Sequence, residues 1–244
     1  PDYPLYPKGK TGPRYFTSCY THNPTGGDNA AFIWRDDDEA AHLVAALGDA
    51  HAWNLLRTDA FRALWPQGTK PDEENPSPEK HAAFVWSDKN NDGKPQPDEI
   101  RMTRQILRGV TVMNDLSFIA SRFGDDTARF SPKGFSKTGV PDYDMKPQRI
   151  GPAGGSPPSS GGNQALLTQD WTLNTNAPTP FSAHGIGGSF RGEARWSYPS
   201  AWPGLHASHE AAVPDRPGMI VGHTRLLGDI IEGNAGPMFC INGN

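Results

Sequence analysis

The chain is poor in several features that would narrow its function quickly. It has only two cysteines in 244 residues, and neither has a C-x-x-C partner, which excludes a zinc knuckle or a dithiol redox centre. No apolar run approaches 18 residues, so the sequence predicts no membrane-spanning helix. No cluster of Lys and Arg occurs, and the formal net charge is −4. A nucleic-acid surface needs a basic stripe to displace counterions, so none is expected. Charged residues are only 20% and hydrophobic residues 35% of the chain. Glycine and proline are abundant instead, at 27 and 24 residues, and that density of backbone breakers excludes helical bundles and coiled coils. Aromatic residues reach 10%, with seven Trp, which opposes disorder and predicts a folded, turn-rich chain able to bury a core.

Short β-prone runs recur along the sequence: 14–20, 30–34, 42–47, 82–86, 110–113, 164–168, 171–175, 219–222 and 237–241. Most are bounded by Gly, Pro, Asn or Asp, the punctuation of antiparallel meanders. Between Asp49 and Trp65, apolar residues at helical spacing predict one helix of about four turns, ended by Pro66. Ala30-Ala31-Phe32-Ile33-Trp34-Arg35-Asp36 is echoed by Ala82-Ala83-Phe84-Val85-Trp86-Ser87-Asp88. A strand running into an acidic turn with a period near 50 residues belongs to propeller blades. The expected fold class is therefore all-β, with propeller-like repeated strand units, one inserted helix and long Gly/Pro-rich loops. Residues 1–244 form a single propeller-like domain or a fragment of one. Residues 151–162 are predicted to be a flexible loop, and 69–80 a second polar, Pro-rich one. The chain opens at Pro1, and its final apolar run, 237–241, meets an Asn-Gly turn at Asn242-Gly243, so a longer protein is expected.

The sharpest motif is Asp88-Lys89-Asn90-Asn91-Asp92-Gly93-Lys94-Pro95-Gln96-Pro97-Asp98-Glu99. It matches the EF-hand-type calcium loop D-x-[DN]-x-[DN]-G-x5-E at every fixed position. Oxygens of Asp88, Asn90 and Asp92 converge on one hard cation, Gly93 permits the sharp turn, the Lys94 carbonyl adds a ligand, and Glu99 closes the shell. The preceding strand, with Pro95 and Pro97, argues for a lone calcium loop rather than a helix–loop–helix sensor. An acidic turn without metal is the competing reading.

His206-Ala207-Ser208-His209-Glu210 places two imidazoles beside a carboxylate, with His184 and His223 nearby in sequence. The order fits neither H-E-x-x-H nor H-x-x-E-H, so His206, His209 and Glu210 are weak catalytic candidates, and hydrogen-bonded loop histidines are the plainer reading. His51 is read as structural. Cys19 and Cys240 each sit in an apolar run; they pair in an oxidising compartment or remain buried thiols, and spacing does not decide. Trp171, Trp196, Tyr198 and Trp202 are either core or stacking platforms for sugar rings. Gly185-Ile186-Gly187-Gly188 is too weak a pattern for a phosphate loop.

The run 84–93, together with Gly192-Glu193-Ala194-Arg195-Trp196-Ser197-Tyr198-Pro199-Ser200, the Trp202–Glu210 stretch and the 239–244 ending, resembles large exported bacterial β-propeller proteins with D-x-N-x-D-G calcium loops. The resemblance departs at Asn91, where such loops usually carry glycine, but Asn tolerates left-handed geometry. The resemblance implies an extracellular, cell-surface or periplasmic protein that binds Ca2+. It implies architecture and location more than activity; the leading functional expectation is a binding or scaffold role, with polysaccharide or another surface protein as partner. A glycan-active hydrolase or lyase using the histidine segment is the alternative.

Overall fold

The computed structural model describes residues 4–9, 11–17, 29–74, 76–155, 164–181, 185–199, 216–220 and 225–242. It is predominantly β, and every strand pairing is antiparallel. A five-stranded meander comes first: β1 (Arg14–Thr17), β2 (Ala30–Asp36), β3 (Ala41–Asp49), β4 (Ala83–Ser87) and β5 (Ile100–Thr103), hydrogen-bonded in that order. Next are β6 (Leu107–Val112), β7 (Phe118–Phe123) and β8 (Asp126–Phe130), then the two-residue strands β9 (Gly134–Phe135) and β10 (Pro141–Asp142). The following strand, β11 (Gln148–Pro152), returns beside β8, giving a four-stranded sheet of order β11-β8-β7-β6. A second four-stranded meander holds β12 (Ala165–Thr168), β13 (Trp171–Asn174), β14 (Ile186–Phe190) and β15 (Glu193–Tyr198). The hairpin β16 (Arg225–Gly233) and β17 (Gly236–Asn242) follows. Among the described residues no helix is long and apolar enough to cross a membrane.

The core follows from the two-residue period of the strands. On β4, Ala83 and Val85 face one side, where they join Ile33, Leu47, Val110 and Phe118 between the first and second sheets. Phe84 and Trp86 point the other way, against Leu56, Phe61 and Ala46. All five β4 residues are buried, as befits a strand covered on both faces.

The covering layer on the second side corrects the helix expectation. Residues 49–65 form two 3-10 turns, Ala50–Ala52 and Asn54–Arg57, and one short helix, α1 (Asp59–Arg62), separated by extended residues at Trp53 and Thr58. Asp49 accepts from the His51 N–H at 2.9 Å and so starts the first turn. The Thr58 hydroxyl donates to the Leu55 carbonyl. These local side-chain bonds compete with continuous helical ones. Leu56 and Phe61 still bury at 0% and 4% exposure, because turns of three and of 3.6 residues place apolar residues on one face at nearly the same spacing.

The echoed strands are not equivalent members of two blades. They are β2 and β4 of one sheet, on either side of β3. Ala31 and Val85 both lie opposite Leu47, so the two copies meet β3 in registers that differ by two residues. Residues 151–162 are also not one loop, since Gly151 and Pro152 belong to β11 and pair with Thr127 and Asp126. Residues 156–162 lie outside the described residues. The 237–241 run finds its hairpin partner upstream, in β16. The Gly185–Gly188 segment enters β14, and a Cβ on Gly188 would fall 2.3 Å from the Trp196 ring, so glycine there lets the indole lie flat on the strand.

Candidate functional site

Asp88 directly follows β4 and is 1% exposed. Its backbone N–H donates to the Val44 carbonyl, tying the loop entrance to β3. From there the loop folds inward on its own oxygens. Asp88 Oδ1 accepts from the Asp92 N–H at 3.1 Å, and Oδ2 from the Gly93 N–H at 2.9 Å. Asn90 Oδ1 accepts from the Asp92 N–H at 3.0 Å, and Asp92 Oδ1 from the Lys94 N–H at 2.8 Å. The left-handed positions this needs are Asn91 and Gly93, with φ of 60° and 72°, and asparagine is one of the few side-chain-bearing residues that accept such a φ readily. Arg35 of β2 fixes the loop tip from outside, donating to Asn91 Oδ1 at 2.8 Å.

Glu99 lies beneath the loop, 6% exposed. Its Oε1 accepts from the Lys89 and Asn90 N–H groups at 2.8 and 3.2 Å. Its Oε2 accepts from the Trp86 indole at 2.9 Å and the Gln96 N–H at 3.4 Å. Glu99 therefore ties both ends of the loop to the β4 core. Asp88, Asn90 and Asp92 share one tight turn, and Glu99 approaches it from the strand side. Burial above all, with the neighbouring Glu99 and Asp92 charges, pushes the Asp88 carboxyl above its ordinary range, against the donations from Gly93 and Asp92. On the exposed Asp92, the Lys94 N–H holds the carboxyl below that range, with Gln96 and Asn90 assisting.

A second polar group stands at the other end of β3. Among the described residues, one set of three or more His, Cys, Asp and Glu side chains brings its donor atoms within 4.8 Å of one another: Asp49, His51 and His81. Asp49 ends β3 at 1% exposure, His51 sits in the first 3-10 turn, and His81 lies two residues before β4. Asp49 and Ala83 are register partners, so strand pairing carries His81 back to Asp49. Arg108 of β6 reaches in from the second sheet, 2.5 Å from Asp49 Oδ2. Burial opposes ionisation of Asp49, but the His51 and His81 imidazoles at its oxygens, with the His51 N–H, outweigh it and hold the carboxyl well below the usual range. His51 moves up because its bonds to Asp49 and the Lys70 carbonyl outweigh burial. The sequence reading of His51 as structural missed this cluster, whose members lie 2 and 32 residues from Asp49 in the chain.

His206, His209 and Glu210 lie outside the described residues, as do His184, His223, Cys19 and Trp202. Cys240 is an exposed free thiol on β17. It is therefore not a buried thiol, and Cys19, the partner expected for it, lies outside the described residues. Trp196 and Tyr198 line an apolar cavity of about 300 Å3 with Ile186, Ile220, Phe239 and Ile241. Trp171 and Trp196 line a neighbouring one of about 200 Å3. Comparison with family models, with curated proteins and with solved structures finds no match.

Proposed function

We propose that the chain is an exported calcium-binding β-module with a binding or scaffold role at the cell surface. Asp88, Asn90, Asp92, the Lys94 carbonyl and Glu99 hold one Ca2+. The observation that carries this reading is the inward fold of the 88–94 turn. Its N–H groups fill one acceptor site on both Asp88 oxygens, Asn90 Oδ1 and Asp92 Oδ1, while Asp92 Oδ2 accepts from the Asn90 and Gln96 side-chain amides; lone pairs on the first four oxygens remain for a hard cation. Ion binding requires Glu99 to exchange some of its bonds with Lys89, Asn90 and Trp86 for metal bonds. Calcium thereby couples the loop to the β4 core, and its role is structural. In this reading the two four-stranded meanders are propeller-type blades, and the partner is a polysaccharide. The Trp196–Tyr198 cavity supports that partner, since the C–H faces of sugars pack on aromatic rings. A glycan array probed with and without calcium identifies the ligand. Trp196→Ala is expected to lose the signal, and a signal unchanged in that variant would remove this cavity as the binding surface.

The sign of the pH dependence follows from Asp88. Its folded value lies above the unfolded one of about 3.9, so the contribution of this group to stability is present below that pH and is lost as pH rises through the folded value. Calcium needs the deprotonated form and relieves the penalty. Calorimetric titration is expected to show affinity that is highest near neutral pH and falls on acidification before pH reaches the ordinary aspartate range. Affinity independent of pH down to about 4 would exclude Asp88 as a ligand.

A further inference from the structure

The geometry points to a transition-metal site, which we assign to Zn2+, formed by Asp49, His51 Nδ1 and His81 Nδ1 at the junction of β3, the 3-10 turn and the 66–80 loop. It is separate from the calcium loop and does not depend on it.

The far nitrogens of the two rings are each held by a backbone carbonyl. His51 Nε2 lies 2.9 Å from the Lys70 carbonyl, and His81 Nε2 lies 3.1 Å from the Pro76 carbonyl. The Lys70 carbonyl only accepts, so His51 Nε2 donates there and leaves Nδ1 as the nitrogen that can ligate; His81 Nε2 is engaged by the Pro76 carbonyl and the Arg108 guanidinium, which likewise leaves Nδ1. Both Nδ1 atoms face the same carboxylate: His51 Nδ1 is 3.0 Å from Asp49 Oδ1, and His81 Nδ1 is 2.6 Å from Asp49 Oδ2. Two nitrogens and a carboxylate this close in a buried place need a positive centre among them. The His81 side chain is 6% exposed, and despite its closeness to Asp49 its Nδ1 makes no hydrogen bond of acceptable geometry. A metal ion satisfies all three groups together.

The donor chemistry selects the ion. Two imidazole nitrogens and a carboxylate favour a first-row transition dication over Ca2+ or Mg2+. Bonds of about 2.0–2.1 Å in a tetrahedron place ligand atoms roughly 3.3 Å apart; His51 Nδ1 and Asp49 Oδ1 are 3.0 Å apart, and the three residues bring their donor atoms within 4.8 Å of one another. The carbonyls of Lys70 and Pro76 already act as the outer partners that orient metal-bound imidazoles. Arg108, held on Asp49 Oδ2, leaves Oδ1 for the ion, and water completes the shell. Such an ion would fasten the 66–80 loop to the end of β3.

The test strips the full-length protein with a strong chelator and titrates Zn2+ in the presence of excess Ca2+. Co2+ serves as the spectroscopic probe. One equivalent of zinc binding more tightly than about 1 µM is expected, with a tetrahedral Co2+ absorption that zinc displaces. His51→Gln and His81→Gln should each weaken zinc by at least about 100-fold, while an Asp88→Asn/Asp92→Asn variant keeps full zinc binding. Circular dichroism confirms that each variant is folded, and the wild-type titration decides the question even where a variant is not. No stoichiometric zinc in the wild type would overturn the proposal and leave a protonated ion cluster. Zinc retained by both glutamine variants, or lost only from the Asp88/Asp92 variant, would overturn it equally.

Discussion

Trp86→Ala is expected to lower the unfolding free energy by about 4 kcal/mol, read from the shift in urea midpoint. Trp86 is fully buried on β4, with its ring 6.1 Å from that of Trp53. Its indole N–H donates to Glu99. Truncation leaves a cavity between the first sheet and the 50–65 segment, and it deprives a buried carboxylate of a donor. Trp86→Phe separates the two effects, because it keeps most of the volume and loses the N–H. It should cost about 1–3 kcal/mol, the penalty for a buried polar group left short of a partner. It should also strengthen calcium binding relative to stability, since Glu99 then has one bond fewer to exchange. A phenylalanine variant as stable as the wild type would show that the indole–carboxylate bond contributes nothing net to the fold.

Asp49→Ala is the second large effect, with an expected loss of about 3–5 kcal/mol. The substitution leaves Arg108 and both imidazoles without the acceptor they converge on, and it removes the cap of the first 3-10 turn. In chelator, the pH dependence carries the signature. The folded Asp49 carboxyl lies below its unfolded value, so its contribution is present above about pH 4 and is lost as pH falls further. His51 has the opposite sign: its contribution is complete below about pH 6.5 and is lost as pH rises through the raised folded value. Denaturant melts across pH should therefore show wild type and Asp49→Ala converging at both ends of the range. A difference below about 1 kcal/mol at every pH would mean that the cluster is dispensable.

Much of the strand layout was legible in the sequence, because β2, β3, β4, β13 and β17 are apolar runs bounded by Gly, Pro, Asn or Asp. Other strands were missed, β7 (Phe118–Phe123) and β16 (Arg225–Gly233) among them although both carry apolar residues. In β8 (Asp126–Phe130), β11 (Gln148–Pro152) and β15 (Glu193–Tyr198), charged residues alternate with small or aromatic ones. Strand formation there is decided by neighbours in the sheet rather than by local preference. The turn geometry of the acidic loop was legible down to Asn91, since a left-handed position is a local requirement. The Asp49 cluster was not, because it exists only after β3 pairs with β4 and β6 packs against them. The helical reading of 49–65 erred because spacing reports which face is buried, not whether the turns are continuous.

Calcium dependence of the melting temperature in chelated protein separates a metal loop from a plain acidic turn. Calcium at about 0.1–1 mM, the range of extracellular modules, is expected to raise the melting temperature of the wild type. Asp88→Ala combined with Asp92→Ala should abolish the rise. A wild-type melting curve unchanged by millimolar calcium would contradict the account and reduce residues 88–99 to an acidic turn held by its own hydrogen bonds.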